Sequence, residues 1–251
     1  MMQDRENRDT TAKPRLHRRA DYRPSFRGGD YFIIRHLERF TRSQLAARLL
    51  PKMTVLDVGC GEQPLRALVE AGDADYVSAD VVQNEHGTVD HLCPITALPL
   101  AAGSVDLILC TEVMEHVSET RPALRELARV LHPGGFVILT TPMLYPLHEE
   151  PHDFVRLTPF QIERCAQEAG FDVVAMEKAG NEFEVFASFY GRCWGWMYYA
   201  VANALVRRCC ASAIGLTQAV VNGLAIVAGR ILPLDRNRSA FLNTMCVLRR
   251  R

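Results

Sequence analysis

The sequence is short of the features that mark several protein classes. Its 29 lysines and arginines are balanced by 29 aspartates and glutamates, so no net field draws it to nucleic acid or to an anionic surface. Its eight cysteines include no C-x-x-C pair and none at metal-ligand spacing from a histidine. That excludes a zinc-finger framework and reads as reduced thiols rather than a disulfide scaffold. No apolar run follows Met1, so no signal peptide is expected and the cytoplasm is the expected compartment. A third glycine is also missing: Gly59 and Gly61 are followed by Gln63 and Pro64, which breaks the G-x-G-x-x-G turn of a nicotinamide-dependent dehydrogenase.

The organising stretch is Val55 to Leu65, VLDVGCGEQPL. Apolar residues lead into Asp57, two glycines stand one residue apart, and Pro64 sits where a first helical residue belongs. The pattern predicts a buried strand, a tight turn and a helix start. Glycines in such a turn let the backbone approach a ligand where a Cβ would collide. A second strand, Tyr76 to Asp80, ends in an acid 23 positions beyond Asp57, about the interval at which nucleotide-binding α/β folds place a carboxylate for ribose hydroxyls. Further strands are expected over Thr88–Leu92, Ser104–Cys110, Phe136–Thr140, Phe171–Lys178 and Phe241–Arg249. Helices are expected over Asp30–Leu50, Pro64–Ala71, Arg121–Leu131 and Thr158–Ala169. Alternation of this kind is a doubly wound, Rossmann-like α/β sheet.

The order LPL…SVDLILCTEVMEHV…LRELARVLHPGGFVILTTP over Leu98 to Pro142 resembles the methyltransferase type 11 group of class I S-adenosylmethionine-dependent methyltransferases. With the Val55 and Asp80 motifs the resemblance covers roughly Met53 to Gly180. It implies a seven-stranded sheet whose last strand runs antiparallel between the fifth and sixth, with S-adenosylmethionine as cofactor. The cofactor residues it implies are Asp57, Gly59, Cys60, Gly61, Asp80, Ile95, Thr111 and Glu112. The Glu115-His116 pair matches one common in the group, where it shapes the pocket edge. Two departures stand out: the third glycine is absent, and no acid stands where one often reads the adenine, so Ile95 and backbone groups take that place.

The loop His148–Thr158, HEEPHDFVRLT, carries the densest chemistry and resembles a signature of one branch of the group. His148, His152 and Asp153 are its catalytic candidates, since imidazole titrates near neutral pH and suits a general base. An Asp153–Arg156 pair that merely pins the loop is an equally good reading. Pro151 prevents the helix that would put His148 and His152 on one face, so no metal site is expected there.

Gly180 to Ser239 reads as a long insertion before the last strand, and 183–232 is apolar and helical, with 19 uncharged residues from Ala211 to Gly229. That length approaches a membrane span, but Ser212, Thr217, Gln218 and Asn222 interrupt it. A lid or dimer element is preferred, then a helical hairpin on a membrane surface, then a spanning hairpin. The aromatic cluster Phe189, Tyr190, Trp194, Trp196, Tyr198 and Tyr199 suits a lid or an interfacial belt. The expected organisation is thus a disordered basic tail (1–29), a cofactor-binding core (30–182), the insertion (183–239) and a final strand (240–251). The expected activity is methyl transfer to a small, hydrophobic or lipid-linked acceptor, with no nucleic-acid partner, and with peripheral membrane contact or a homodimer contact through 183–232. A catalytically silent cofactor-binding protein acting through its helical surface is the alternative.

Overall fold

The computed structural model describes residues 21–200, 203–232 and 234–251. Residues 1–20 of the expected tail, and the side chains of Trp196, Tyr198 and Tyr199, lie outside the described residues. The chain builds one seven-stranded sheet in the order β3-β2-β1-β4-β5-β7-β6. Its strands are β1 (Thr54–Val58), β2 (Asp75–Asp80), β3 (His91–Leu92), β4 (Val105–Thr111), β5 (Leu131–Pro142), β6 (Phe171–Ala179) and β7 (Asn243–Arg250). β7 runs antiparallel to both neighbours, with Val247 facing Ile138 on one side and Ala175 on the other. All other pairings are parallel.

The helices are α1 (Tyr31–Arg48), α2 (Arg66–Glu70), α3 (Thr120–Val130), α4 (Pro159–Glu168), α5 (Glu182–Ala200) and α6 (Ala204–Ile231). The start of α4 follows from its sequence: the Thr158 hydroxyl accepts the Gln161 N–H, and Pro159 needs no partner for a missing N–H. Strand alternation splits the core. Ile108 and Cys110 of β4 face the cluster beneath α3 and α4, whereas Leu107 and Leu109 face Phe32, Leu37 and Leu45 of α1.

Two strands differ from their sequence reading. Only His91–Leu92 pairs where Thr88–Leu92 was expected, because the preceding N–H groups are taken by side chains. Asn84 accepts from Thr88, Gln83 from Val89 and Ser78 from Asp90. β5 starts at Leu131, opposite Val105, and a register shift passes Pro133-Gly134-Gly135 before Phe136 resumes pairing. Gly135 lies so near β4 that a Cβ there would stand 2.7 Å from the Asp106 carbonyl oxygen.

The insertion is a helical hairpin that straps the segment before α1. The Asn222 amide donates to the carbonyls of Phe26 and Gly28, at 2.9 and 3.3 Å, and Gln218 donates to Asn222 and to the Ala187 carbonyl. A buried His36–Glu184 contact of 2.8 Å joins α1 to α5. Arg192 of α5 pairs with Asp30 and lies 3.8 Å over the Tyr145 ring. A Cβ on Gly191 would meet the Gly29 Cα at 2.7 Å, so the two backbones pass as closely as only glycines permit. Residues 21–29, expected as the end of a disordered tail, are therefore held against the core.

Asn222→Ala removes the side-chain donor to the Phe26 carbonyl and one hydrogen bond each from the Gly28 carbonyl and the Gln218 amide, which keep Tyr31 N–H and the Ala187 carbonyl. It is expected to destabilise the fold by about 1–3 kcal/mol in urea unfolding. An unchanged midpoint would show that the strap contributes nothing.

Candidate functional site

The turn after β1 adopts the left-handed backbone its glycines allow, with φ of +65° at Gly59 and +52° at Gly61. A Cβ on Gly59 would meet Val113 at 2.5 Å, so glycine is required there on two counts. Gln63, which stands where a third glycine was missing, also takes a left-handed φ of +58°. Its amide donates to Ser78 Oγ and the Thr88 carbonyl and accepts from the Thr88 hydroxyl, at 2.9–3.1 Å. Side-chain hydrogen bonds thus offset a conformational cost of about 1–2 kcal/mol that glycine avoids.

Asp80, at the end of β2 and 6% exposed, accepts the Gly61 N–H at 3.0 Å and the Val82 N–H at 3.1 Å. Asp57 is buried beneath the turn and accepts from the Tyr76 hydroxyl at 2.6 Å. Burial pushes the Asp57 carboxyl up to about 7, against the Tyr76 hydrogen bond, and the Asp80 charge adds to the rise. Glu112, just past β4 with φ +55°, accepts from the Asn243 amide of β7 with both oxygens, at 2.9 and 3.0 Å. Burial raises it to about 7 as well, against Thr140 and Asn243.

The 3₁₀ turn Met114–His116 then meets the loop after β5. The Glu115 carbonyl accepts from Phe154 N–H and Val155 N–H, which fixes that loop over the turn. Arg156 clasps Asp153 with two nitrogens and also donates to the Tyr145 carbonyl. Burial acts to raise the Asp153 carboxyl, but Arg156 and the His148 N–H outweigh it and hold it at about 2. His148 Nδ1 lies 3.1 Å from Asp153 Oδ2, and burial and the neighbouring His116 lower the imidazole's pKa. Glu115 has no exposed surface, and its carboxyl is pushed well above the usual carboxylate range by burial and by Glu112.

These elements open onto one cavity of about 590 Å³. Gly59, Cys60, Gly61, Asp80 and Ile95 line one end; Glu112, His116, His148 and His152 line the other. Ile33, Ile34 and Leu37 of α1 form an apolar wall, with Tyr22 from the strapped segment. The Tyr22 hydroxyl lies 2.9 Å from Thr111 Oγ1, so Thr111 serves the wall through Tyr22. Asp57 and Asp153 act from behind the lining. Among the described residues five carboxylates line the cavity (Asp30, Glu62, Asp80, Glu112 and Glu149), and no lysine or arginine does. Sequence reasoning missed three contributors: Tyr22, Gln63 and Asn243. Only the broken glycine pattern at Gln63 carried a signal.

Residues 56–139 match the family model described as "Methyltransferase domain". A curated relative, the ubiquinone biosynthesis O-methyltransferase of Methylococcus capsulatus (strain ATCC 33009 / NCIMB 11132 / Bath), is 28% identical over 156 residues, 50% of this chain and 65% of the relative. The chain thus spans less than two thirds of the length of the curated relatives it matches first. Among solved structures, the fold is similar to a phosphoethanolamine N-methyltransferase 2 of Haemonchus contortus in complex with phosphomonomethylethanolamine and S-adenosylhomocysteine. That likeness has TM-score 0.52, 14% identity, and 86% and 52% of the two chains covered. It is also similar to the cyclase SpnF, with TM-score 0.54, 18% identity, and 84% and 80% covered. The cyclase shows that this fold also carries other chemistry.

The raised Asp57 carboxyl has a measurable sign. The folded chain holds a proton up to about pH 7 that the unfolded chain releases near 3.8, so this group's contribution to stability falls as pH rises between those values. The cost is complete above about pH 7. Against Asp57→Asn in urea titrations at a series of pH values, the wild type is expected to lose relative stability across that window and then level off. A difference constant with pH would refute the buried-carboxyl account.

Proposed function

We propose that this chain, whose residues 56–139 belong to the methyltransferase-domain family, transfers a methyl group from S-adenosylmethionine to a small acceptor of apolar character. The observation that carries the reading is the cavity's charge. Among the described residues its lining is carboxylate-rich and holds no lysine or arginine, and burial raises the carboxyls of Asp57 and Glu112 beside it. Such a cavity fits a cationic sulfonium and an amino group, and it opposes the pyrophosphate of a nicotinamide dinucleotide. The Gly59–Gly61 turn supplies the close backbone approach, and Asp80, with its plane fixed by two backbone N–H groups, is the acceptor for ribose hydroxyls. Ile95 supplies an apolar edge for the adenine.

S-adenosylmethionine, when bound, supplies a methyl group already activated by its positive sulfur. The chain's task is then alignment and exclusion of water. The α1 wall and Tyr22 close one side of the cavity, and the strap from α5 and α6 holds both in place. His148 and His116 face the acceptor end. Asp153 positions His148, and the His152 carbonyl positions His116.

The apolar character of the acceptor rests on two supports. The curated relative is by its name an enzyme of ubiquinone biosynthesis. In addition, α6 exposes Leu216, Val220, Leu224, Val227 and Ile231 along one face at helical spacing. Among the described residues, Val206–Ile231 is the helix long and apolar enough to cross a membrane, and only 17% of its apolar window is buried. Because β7 must return to the sheet between β5 and β6, a helix lying on a membrane surface suits this connectivity better than a span.

Calorimetry with S-adenosylhomocysteine is expected to show binding by the wild type and binding about ten- to a hundredfold weaker by Asp80→Asn. Equal affinities, or no binding by a folded wild type, would defeat the cofactor assignment. Consumption of methyl-labelled cofactor with phenolic acceptors then separates an enzyme from a silent binder. Flotation with phosphatidylcholine–phosphatidylglycerol vesicles is expected to carry the wild type upward and to leave Leu224→Glu behind. Equal flotation of both proteins would discount the α6 face.

A further inference from the structure

We infer that Glu115, His116 and His148 hold a divalent transition-metal cation at the acceptor end of the cavity. One carboxylate oxygen of Glu115 and one nitrogen of each imidazole lie within 4.8 Å of one another. His116 Nε2 is 3.7 Å and His148 Nε2 is 3.9 Å from Glu115 Oε1, too far for a hydrogen bond to either. Glu115 Oε1 is fully buried and has no hydrogen-bond partner, an arrangement that proteins avoid unless a ligand answers it. The other carboxylate oxygen is occupied, accepting from the Thr141 hydroxyl.

The groups behind the two imidazoles point the same way. His116 Nδ1 lies 3.0 Å from the His152 carbonyl oxygen, which can only accept, so that nitrogen carries the proton and Nε2 presents its lone pair. His148 Nδ1 lies 3.1 Å from the Asp153 carboxylate, with the same consequence for its Nε2. Both imidazoles are therefore locked, by a carbonyl and by a carboxylate, with their lone pairs turned toward the same carboxylate oxygen. Histidines that bind metals are held in this way. A cation among these three groups would be met by two imidazole lone pairs and the unpartnered carboxyl oxygen of Glu115. Ligand atoms around such an ion stand roughly 3.3–3.5 Å apart, so the two Glu115–histidine separations need to close by about half an ångström, and no pair of the three atoms by more than about 1.5 Å. Ring contacts hold the geometry, since His148 sits edge-on to His116 at 4.7 Å and to Tyr145 at 4.8 Å between centroids.

Two imidazoles and one carboxylate form a donor set for zinc, cobalt, iron or manganese rather than for magnesium or calcium, which prefer oxygen alone. Three protein ligands leave a position open toward the cavity. An acceptor hydroxyl taking that position releases its proton to water more readily and becomes the better nucleophile. This role rests on the methyl-transfer reading; the cation site does not. His152, the histidine that the sequence sets beside His148, contributes its backbone carbonyl to this arrangement.

The test is titration of the chelator-treated full chain with Zn²⁺ by calorimetry, and with Co²⁺ by visible absorption. One ion per chain is expected, with Co²⁺ bands that report nitrogen ligands. Glu115→Gln and His148→Ala are expected to weaken binding by more than about 100-fold, and Asp153→Asn by about 10–100-fold. Circular dichroism and S-adenosylhomocysteine binding serve as the controls for folding. Retained binding in the ligand variants, or no binding by a wild type that still binds S-adenosylhomocysteine, would overturn the cation site while leaving the cofactor reading intact. Metal binding by a chain that ignores S-adenosylhomocysteine would support the site and sink the cofactor reading instead.

Discussion

The hydrogen bond from the Gly61 N–H to the Asp80 carboxylate joins the carboxyl ends of β1 and β2, and the cavity depends on it. It forms only because Gly59, Gly61 and Gln63 all accept left-handed backbone, bringing the chain back across the strand ends. Gln63 then ties the same turn to Ser78 and Thr88, so the turn and the β2–β3 connection are a single hydrogen-bonded unit. Burial raises the carboxyls of Asp57 and Glu112 beside the same cleft.

A cavity at the end of an open sheet needs cover, and here the cover comes from both ends of the described chain. Tyr22 and α1 form the wall, but their position is set by α5 and α6 through Asn222, Gln218, Arg192 and Glu184. The insertion therefore works on the site through that strap, and none of its described residues lines the cavity. One face of α6 is spent on that strap, while the opposite face carries the exposed apolar stripe. An acceptor drawn from an apolar phase would meet the same element that holds the cavity closed.

The sheet was legible because its signals are local: apolar runs, glycine turns and the Thr158-Pro159 helix start each act within a few residues. The Gly59–Gly61 turn and Asp80 could be read as partners by the same logic, since one β-α-β unit fixes their spacing. What escaped depends on contacts far apart in the chain. Tyr22 meets Thr111 across 89 positions, Asn243 reaches Glu112 across 131, and Asn222 reaches the Phe26 carbonyl across 196. The loop after β5 was read as a pair of histidines within one segment. The structure instead sets His148 beside His116, because the Glu115 carbonyl captures the returning loop. No periodicity in the sequence encodes that capture.

The central claim is that the cleft between the glycine turn and the α1 wall receives the cofactor. A crystal structure grown with saturating S-adenosylhomocysteine tests it most directly. The account requires the ligand to lie along Gly59–Gly61, with its ribose on Asp80 and its adenine against Ile95. A ligand found elsewhere on the chain, or a cleft without it in crystals whose protein binds it in solution, would contradict the account.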